Sequence, residues 1–200
     1  MAKSKTQLAL DLVRTKRLVR PRDLVAKKIP RDYLDRLHRR GLVERVSRGV
    51  YAWPGADLGE HQTLAEAARQ VPRGVVCLLS ALQFHGIGTQ QPHEVWMAIP
   101  ADAWRPKIDH PKVRLVHFSG VAYTQSIEEH DLHGIAIRVY GPAKTVADCF
   151  KYRNKIGLDV ALEALRECWR ERRCTMDGLW DAARICRMTR VMRPYLESLA

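Results

Sequence analysis

Between positions 31 and 40 the chain reads RDYLDRLHRR, a stretch whose residue types define a chemistry. An arginine fork presents parallel N–H donors that match the O6 and N7 acceptors of guanine or the oxygens of a phosphate. Arg31, Arg36, Arg39 and Arg40 carry such forks here. Asp32 and Asp35 interrupt the positive run. A carboxylate in this setting can orient a neighbouring arginine or accept from a cytosine amine. Arg20 and Arg22 lie shortly before, and Arg45, Ser47 and Arg48 shortly after, so similar donors recur on both sides. An arginine-rich helix can equally be a solvated face without a ligand, and its setting decides between the two.

Other constellations are weaker. Glu128, Glu129, His130, Asp131 and His133 crowd together, but their spacing matches no zinc pattern. On a strand, His130 and His133 would point to opposite faces. Glu128 and Asp131, with Glu94, are the carboxylates from which a divalent-metal nuclease site could start, and Glu94 has no lysine two residues on. The GPAKT segment (141–145) holds a lysine and a threonine, but one glycine cannot cradle phosphates, and GxxxxGK[ST] and GxGxxG are both missing. Pro142, Lys144 and Thr145 therefore read as a helix start. Cys77 and Cys149 lie in apolar helical stretches and read as core thiols. His85 and His93 read as structural. Cys77, Cys149, Cys168, Cys174 and Cys186 contain no CxxC pair, which suits reduced thiols in a cytosol rather than a disulfide framework. No catalytic residue, metal site or cofactor is assigned.

The charge supplies the setting for the arginines. Lys and Arg number 34 against 22 acids, for a net charge of +12. Residues 1–54 hold 15 basic and 5 acidic residues, so +10 of that charge sits in the first quarter and only +2 in the rest. A gradient this steep marks a polyanion-binding module. The basic runs KYRNK (151–155) and RERR (170–173) belong to the balanced part and read as mixed solvated surface. The opening MAKSKTQLALDLVRTKR does not read as a secretory signal, since its apolar run is short and carries Asp11. No stretch approaches the ~18 apolar residues of a membrane span, and a cytoplasmic location is expected.

The elements that would position the arginines follow from periodicity. Residues 5–14 predict a helix burying Leu8, Leu12 and Val13. Pro21 opens a second helix with Leu24 and Val25 inward. Ile29-Pro30 breaks the chain, and Pro30 opens a third helix whose apolar stripe is Tyr33, Leu34 and Leu37. Gly41 is its natural stop. LVERV and GVYAW then alternate around Ser47-Arg48-Gly49, a hairpin. Three short helices followed by a hairpin predict a winged helix-turn-helix over residues 1–54. Its third helix would enter the major groove, and its wing would bring Arg45 and Arg48 to the backbone or minor groove. A neutral winged helix would suit protein docking, but this one is strongly basic.

Residues 55–60 read as a linker and 61–200 as a second domain. That domain predicts a helix at 60–70, a buried helix over 75–86 ended by Gly86, and strands at 94–100 and 113–119 around the loop DAWRPKIDHP. Two further strands follow within 126–142, turning near His133-Gly134. Helices run from Pro142 onward. One carries a stripe of Leu158, Ala161, Leu162, Leu165 and Trp169, the next is capped by Thr175, and the last spans 187–199 across Pro194. The fold class is α+β, a winged helix-turn-helix followed by a mixed α/β domain ending in a helical bundle.

The assembled pattern resembles the AbiEi-type antitoxin family. The resemblance lies in RRGLVERVSRGVYAWP, VVCLLSALQFHG, PHEVWMAIP, IRVYGPAKTVADCFKYRNKIGLDVALEAL and ARICRMTRVMRPYLESL, with RVYGPAKTVADCFKYR the most specific. It implies a transcriptional regulator encoded beside a nucleotidyltransferase-like toxin. It further implies repression of its own operon, through an inverted-repeat operator of double-stranded DNA, and toxin neutralisation by the C-terminal domain. It brings no catalytic residues. Two alternatives stand beside it, a winged-helix-targeted enzyme (nuclease-like, or kinase- or nucleotidyltransferase-like) and a stand-alone transcriptional regulator.

Overall fold

The computed structural model describes residues 4–16, 18–47, 49–54, 62–108, 110–132 and 135–199. The chain divides into two compact units, Met1–Gln62 and Thr63–Ala200. The expected linker at 55–60 and the turn residues His133 and Gly134 lie outside the described residues.

The first unit runs α1 (Lys5–Lys16), β1 (Leu18–Val19), α2 (Pro21–Val25), α3 (Asp32–Arg39), β2 (Glu44–Ser47) and β3 (Val50–Ala52). β3 lies between β1 and β2 and is antiparallel to both. Ala9, Val13, Val19, Leu24, Ile29, Leu34, Leu37, Val43 and Tyr51 form the core. β1 escapes sequence reading because a strand of two residues shows no alternation.

Two expected core positions are exposed. Leu8 is 43% exposed, because α1 buries Ala9 and Val13 and Leu8 sits off that stripe. Val25 is 58% exposed, because α2 is a single turn from which only Leu24 is buried. Ile29 fills the space instead, and its N–H reaches back to the Leu24 carbonyl at 2.9 Å. α3 begins at Asp32 rather than Pro30, with Arg31 as its N-cap residue. Its end matches expectation. Gly41 takes φ +69°, a conformation glycine adopts without strain. Its N–H donates to the His38 carbonyl (2.9 Å) and that of Leu42 to Leu37 (3.0 Å), which satisfies the last carbonyls of the helix.

The start of α2 is closed by Asp23. Its carboxylate accepts the Arg20 N–H at 2.8 Å, its own N–H donates to the Arg20 carbonyl at 2.9 Å, and Lys16 Nζ lies 3.1 Å away. Burial pushes the Asp23 carboxyl upward, but the Arg20 hydrogen bond and the Lys16 ammonium outweigh it and hold its pKa below the ordinary value.

The second unit runs α4 (Gln62–Gln70), β4 (Val75–Val76), α5 (Leu78–His85), β5 (Val95–Pro100), β6 (Val113–Phe118), α6 (Val121–Thr124), β7 (Ile127–Leu132), β8 (Ile135–Tyr140), α7 (Pro142–Lys151), α8 (Arg153–Ile156), α9 (Leu158–Arg170), α10 (Met176–Cys186) and α11 (Thr189–Glu197). The strands form one sheet in the order β6-β5-β4-β8-β7. β4 is antiparallel to β5 and parallel to β8, β5 is parallel to β6, and β7 is antiparallel to β8. β5 is buried along its whole length. Trp96 and Ala98 join the core built with α7, α9 and α10, while Val95, Met97 and Ile99 join that of α4. A strand covered on both faces reads as a continuous apolar run, hence VWMAIP.

Residues 75–86 are not one helix. Val75 and Val76 pair with Ala98 and Met97 at the centre of the sheet, and the helix starts at Leu78. Burial on all sides is common to a central strand and a core helix, so periodicity does not separate them. Gly86 ends α5 in the left-handed conformation, as expected. Of the expected stripe, Ala161 and Leu165 are buried and Leu158 is 39% exposed, while Val160, Ala164 and Cys168 complete the buried face of α9. The last helix starts at Thr189 rather than 187, and it contains Pro194. Thr175 caps α10, its hydroxyl accepting the Gly178 N–H at 3.0 Å. Among the described residues no helix is long and apolar enough to cross a membrane.

Asp23→Ala is expected to destabilise the first unit by about 1 kcal/mol, the usual cost of a lost N-terminal closure. Because the carboxyl pKa is lowered on folding, this stability is fully present above the ordinary carboxylate pKa and is lost as pH falls through the folded value. Thermal melts of the parent and Asp23→Asn should therefore differ at neutral pH and converge in acid.

Candidate nucleic-acid interface

α3 buries Leu34 and Leu37 and leaves Arg31, Asp35, Arg36, His38, Arg39 and Arg40 exposed on and around it. The structure sorts these charges. Arg36 Nη2 lies 2.6 Å from Asp32 Oδ2, one turn earlier, and its guanidinium sits 5.2 Å from the Tyr33 ring. Asp32 thus holds a neighbouring arginine against the helix. Asp35 is occupied elsewhere, because its Oδ1 accepts the Tyr51 hydroxyl from β3. Burial, then this hydrogen bond, pushes the Tyr51 phenol above its ordinary pKa, so it remains the donor. His38 Nδ1 lies 3.1 Å from the Val43 carbonyl, which can only accept, so that nitrogen carries the proton. Asp35 and His38 together tie the helix to the wing.

Among the described residues, no carboxylate lies within ion-pair distance of Arg31, Arg39, Arg40 or Arg45. Arg20 sits at the N-cap of α2, partly buried, with Arg22 exposed one residue into the helix. The wing pairs Arg45 with Tyr51 and Ser47 with Val50, with an irregularity between Arg45 and Ser47. Arg48 lies outside the described residues. Gly49 follows it with φ +72°. The Arg14 guanidinium lies 4.1 Å from the Trp53 ring. Tyr51 escaped sequence reading because it looked like a plain strand residue. Only the fold brings it to Asp35, 16 positions earlier.

In the second unit the carboxylates do not converge. Glu94 pairs with Arg114 at 2.6 Å beside β5, and Glu128 with His130 at 3.3 Å on β7. β4 and β8 lie between those strands, so the two carboxylates start about 14 Å apart at ordinary strand spacing. Among the described residues no group of three His, Cys, Asp or Glu side chains could hold a metal ion.

The buried polar site lies instead on α7. Lys144, Thr145 and Asp148 are all fully buried, where the sequence suggested only a helix start. Lys144 Nζ donates to Asp148 Oδ2 at 2.6 Å and faces the Tyr140 and Phe118 rings at 4.2 and 4.9 Å. Cys186 Sγ donates to Asp148 Oδ1 at 3.2 Å. Burial raises the Asp148 carboxyl above its ordinary pKa, against the opposing pull of Lys144. Thr145 Oγ1 and His85 Nε2 both reach the Tyr140 carbonyl, at 3.0 and 2.7 Å. A signal was present, since Lys144 and Asp148 stand four apart among Val146, Ala147, Cys149 and Phe150.

Element order and the three-stranded sheet define the first unit as a winged helix-turn-helix. Residues 7–54 match a family model described as "Transcriptional regulator, AbiEi antitoxin". The family that the sequence resembles is thus met in this unit, and its description is that of a regulator. The segments of resemblance beyond residue 54 lie outside the match. No curated protein matches the chain.

Breaking the buried pair from one side leaves an uncompensated group. Lys144→Met and Asp148→Asn should each cost about 3–5 kcal/mol. The Lys144→Met/Asp148→Asn double variant should lose clearly less than the sum, as read by urea denaturation.

Proposed function

We propose that the protein is an autorepressor and antitoxin without catalytic activity. It binds double-stranded operator DNA through α3 and the wing, and its second unit counters a nucleotidyltransferase-like toxin in the cytoplasm. One observation carries the DNA reading. On a winged helix whose first 54 residues hold +10 of the net charge, Arg31, Arg39, Arg40 and Arg45 are exposed and have no described carboxylate partner. Cations in that state release counterions from DNA without first breaking an internal ion pair. Arg36, held by Asp32, and Asp35, held by Tyr51, position the helix, with Arg36 adding a weaker contact. Arg20 and Arg22 flank the helix, Ser47 lies in the wing, and Arg48 is assigned from its place in the sequence alone. The family description supports regulation and antitoxin action. The toxin's class rests on the resemblance of the second unit.

A footprint on the upstream region across a salt series tests the DNA reading. Arg39→Ala/Arg40→Ala should weaken operator binding at least tenfold. It should also flatten the slope of log affinity against log salt by up to about 1.8, because each phosphate left without its arginine removes roughly 0.9 from that slope. Arg36→Ala should cost less, and Arg36→Glu/Arg39→Glu should abolish binding. Unchanged affinity of these variants at physiological salt would refute the assignment of α3. The antitoxin role separates cleanly. Full-length protein carrying Arg39→Glu/Arg40→Glu should lose repression yet still restore growth when co-expressed with a neighbouring nucleotidyltransferase-like gene. No rescue by either form would leave a stand-alone regulator.

A further inference from the structure

The five cysteines are free, but two of them touch. Cys168, near the end of α9, and Cys174, just before α10, have their Sγ atoms 2.7 Å apart. That is within about 1 Å of the ~2.05 Å length of a disulfide. The turn between them is held by its own bonds. The Arg173 N–H donates to the Cys168 carbonyl at 2.9 Å and that of Arg172 to Trp169 at 3.0 Å. The Arg173 side chain grips the His85 carbonyl and Glu171 at 2.5 and 2.8 Å. The thiols therefore face each other on a fixed backbone.

Their access differs. Cys168 is fully buried, whereas Cys174 is partly exposed and lines a cleft of about 340 Å³ with Ser126, Arg173 and Thr175. Peroxide can reach one sulfur and not the other. The hydrogen bond from Cys168, acting against burial, holds the Cys174 thiol below its ordinary pKa. The remaining thiols are poor rivals. Cys77 and Cys149 are fully buried and pushed well up by burial, and Cys186 is engaged by Asp148.

We propose that Cys168 and Cys174 form a peroxide-responsive dithiol, in which Cys174 is oxidised first and Cys168 resolves it to an intramolecular disulfide. The Cys174 thiolate sulfur attacks one oxygen of hydrogen peroxide. The O–O bond breaks, and the departing hydroxide takes up a proton as water, leaving a sulfenic acid on Cys174. The Cys168 sulfur then attacks the Cys174 sulfur. The S–O bond breaks, and the hydroxide leaves as water with the proton of the Cys168 thiol. Two thiols give up two electrons, and one peroxide becomes two waters. A dithiol reductant reverses the change by thiol–disulfide exchange.

Peptide mapping of the full-length protein tests this. Reduced protein is treated with one equivalent of hydrogen peroxide, alkylated under denaturing conditions and cut with trypsin without reductant. Arg170, Arg172 and Arg173 lie between the two cysteines, so they leave on separate peptides, 167–170 and 174–184. The expected product is these two peptides joined, about 2 Da lighter than their sum, from a monomeric chain, and separated by dithiothreitol. In Cys168→Ser, Cys174 should instead accumulate a dimedone-reactive sulfenic acid, and in Cys174→Ser the linked product should vanish. The parent protein decides the matter even if a variant misfolds. Recovery of both peptides singly alkylated, linkage of Cys168 to another cysteine, or linkage only between two chains would overturn the proposal.

Discussion

A buried ammonium and a buried carboxylate, Lys144 and Asp148, set the terms for the second unit. Two ions removed from water repay their desolvation only when their geometry is good and their remaining bonding capacity is filled. Here the partners come from separate elements. Tyr140 closes β8, Phe118 closes β6, Cys186 closes α10, and the pair itself lies on α7. These ends must meet at one point or leave a charge unmatched. The Tyr140 carbonyl, accepting from both His85 and Thr145, fixes the turn from β8 into α7 at the same place.

The first unit solves a different problem, which is how to carry a large positive charge on a small core. Three of its five acids have internal partners. Asp23 closes α2, Asp32 steadies Arg36, and Asp35 anchors Tyr51. None of these carboxylates is placed to neutralise Arg31, Arg39 or Arg40. The positive field of the module thus survives folding, and the acids that seemed out of place in RDYLDRLHRR are structural parts of the surface they interrupt.

Much of this was legible in the sequence, because it depends on local physics. The three helices and the hairpin announce themselves through Pro21, Gly41 and alternation, and Thr175 through its capping chemistry. The continuous run VWMAIP fits a strand covered on both faces. What was hidden depends on distant partners. Val75 and Val76 are a strand only because β5 and β8 flank them. Two-residue β1 exists only because β3 offers it a ladder. Val25 and Leu8 point outward because their helices are too short or too narrow-faced to bury them, a limit that residue type does not encode. At the candidate interface, the arginines can be named from sequence, but their division into held and unheld charges depends on where folding places Asp32 and Tyr51.

The link from Asp35 to Tyr51 has a mechanical meaning. A helix bonded through its exposed face to the strand behind the wing cannot swing independently of it, so the two behave as the jaws of a calliper at a fixed opening. If the unit binds DNA as proposed, a duplex between such jaws would be gauged for groove width and stiffness as well as for its base edges. On the proposed DNA-binding reading, selectivity would then extend to base pairs that no side chain touches, and the preferred site would be partly a preferred shape.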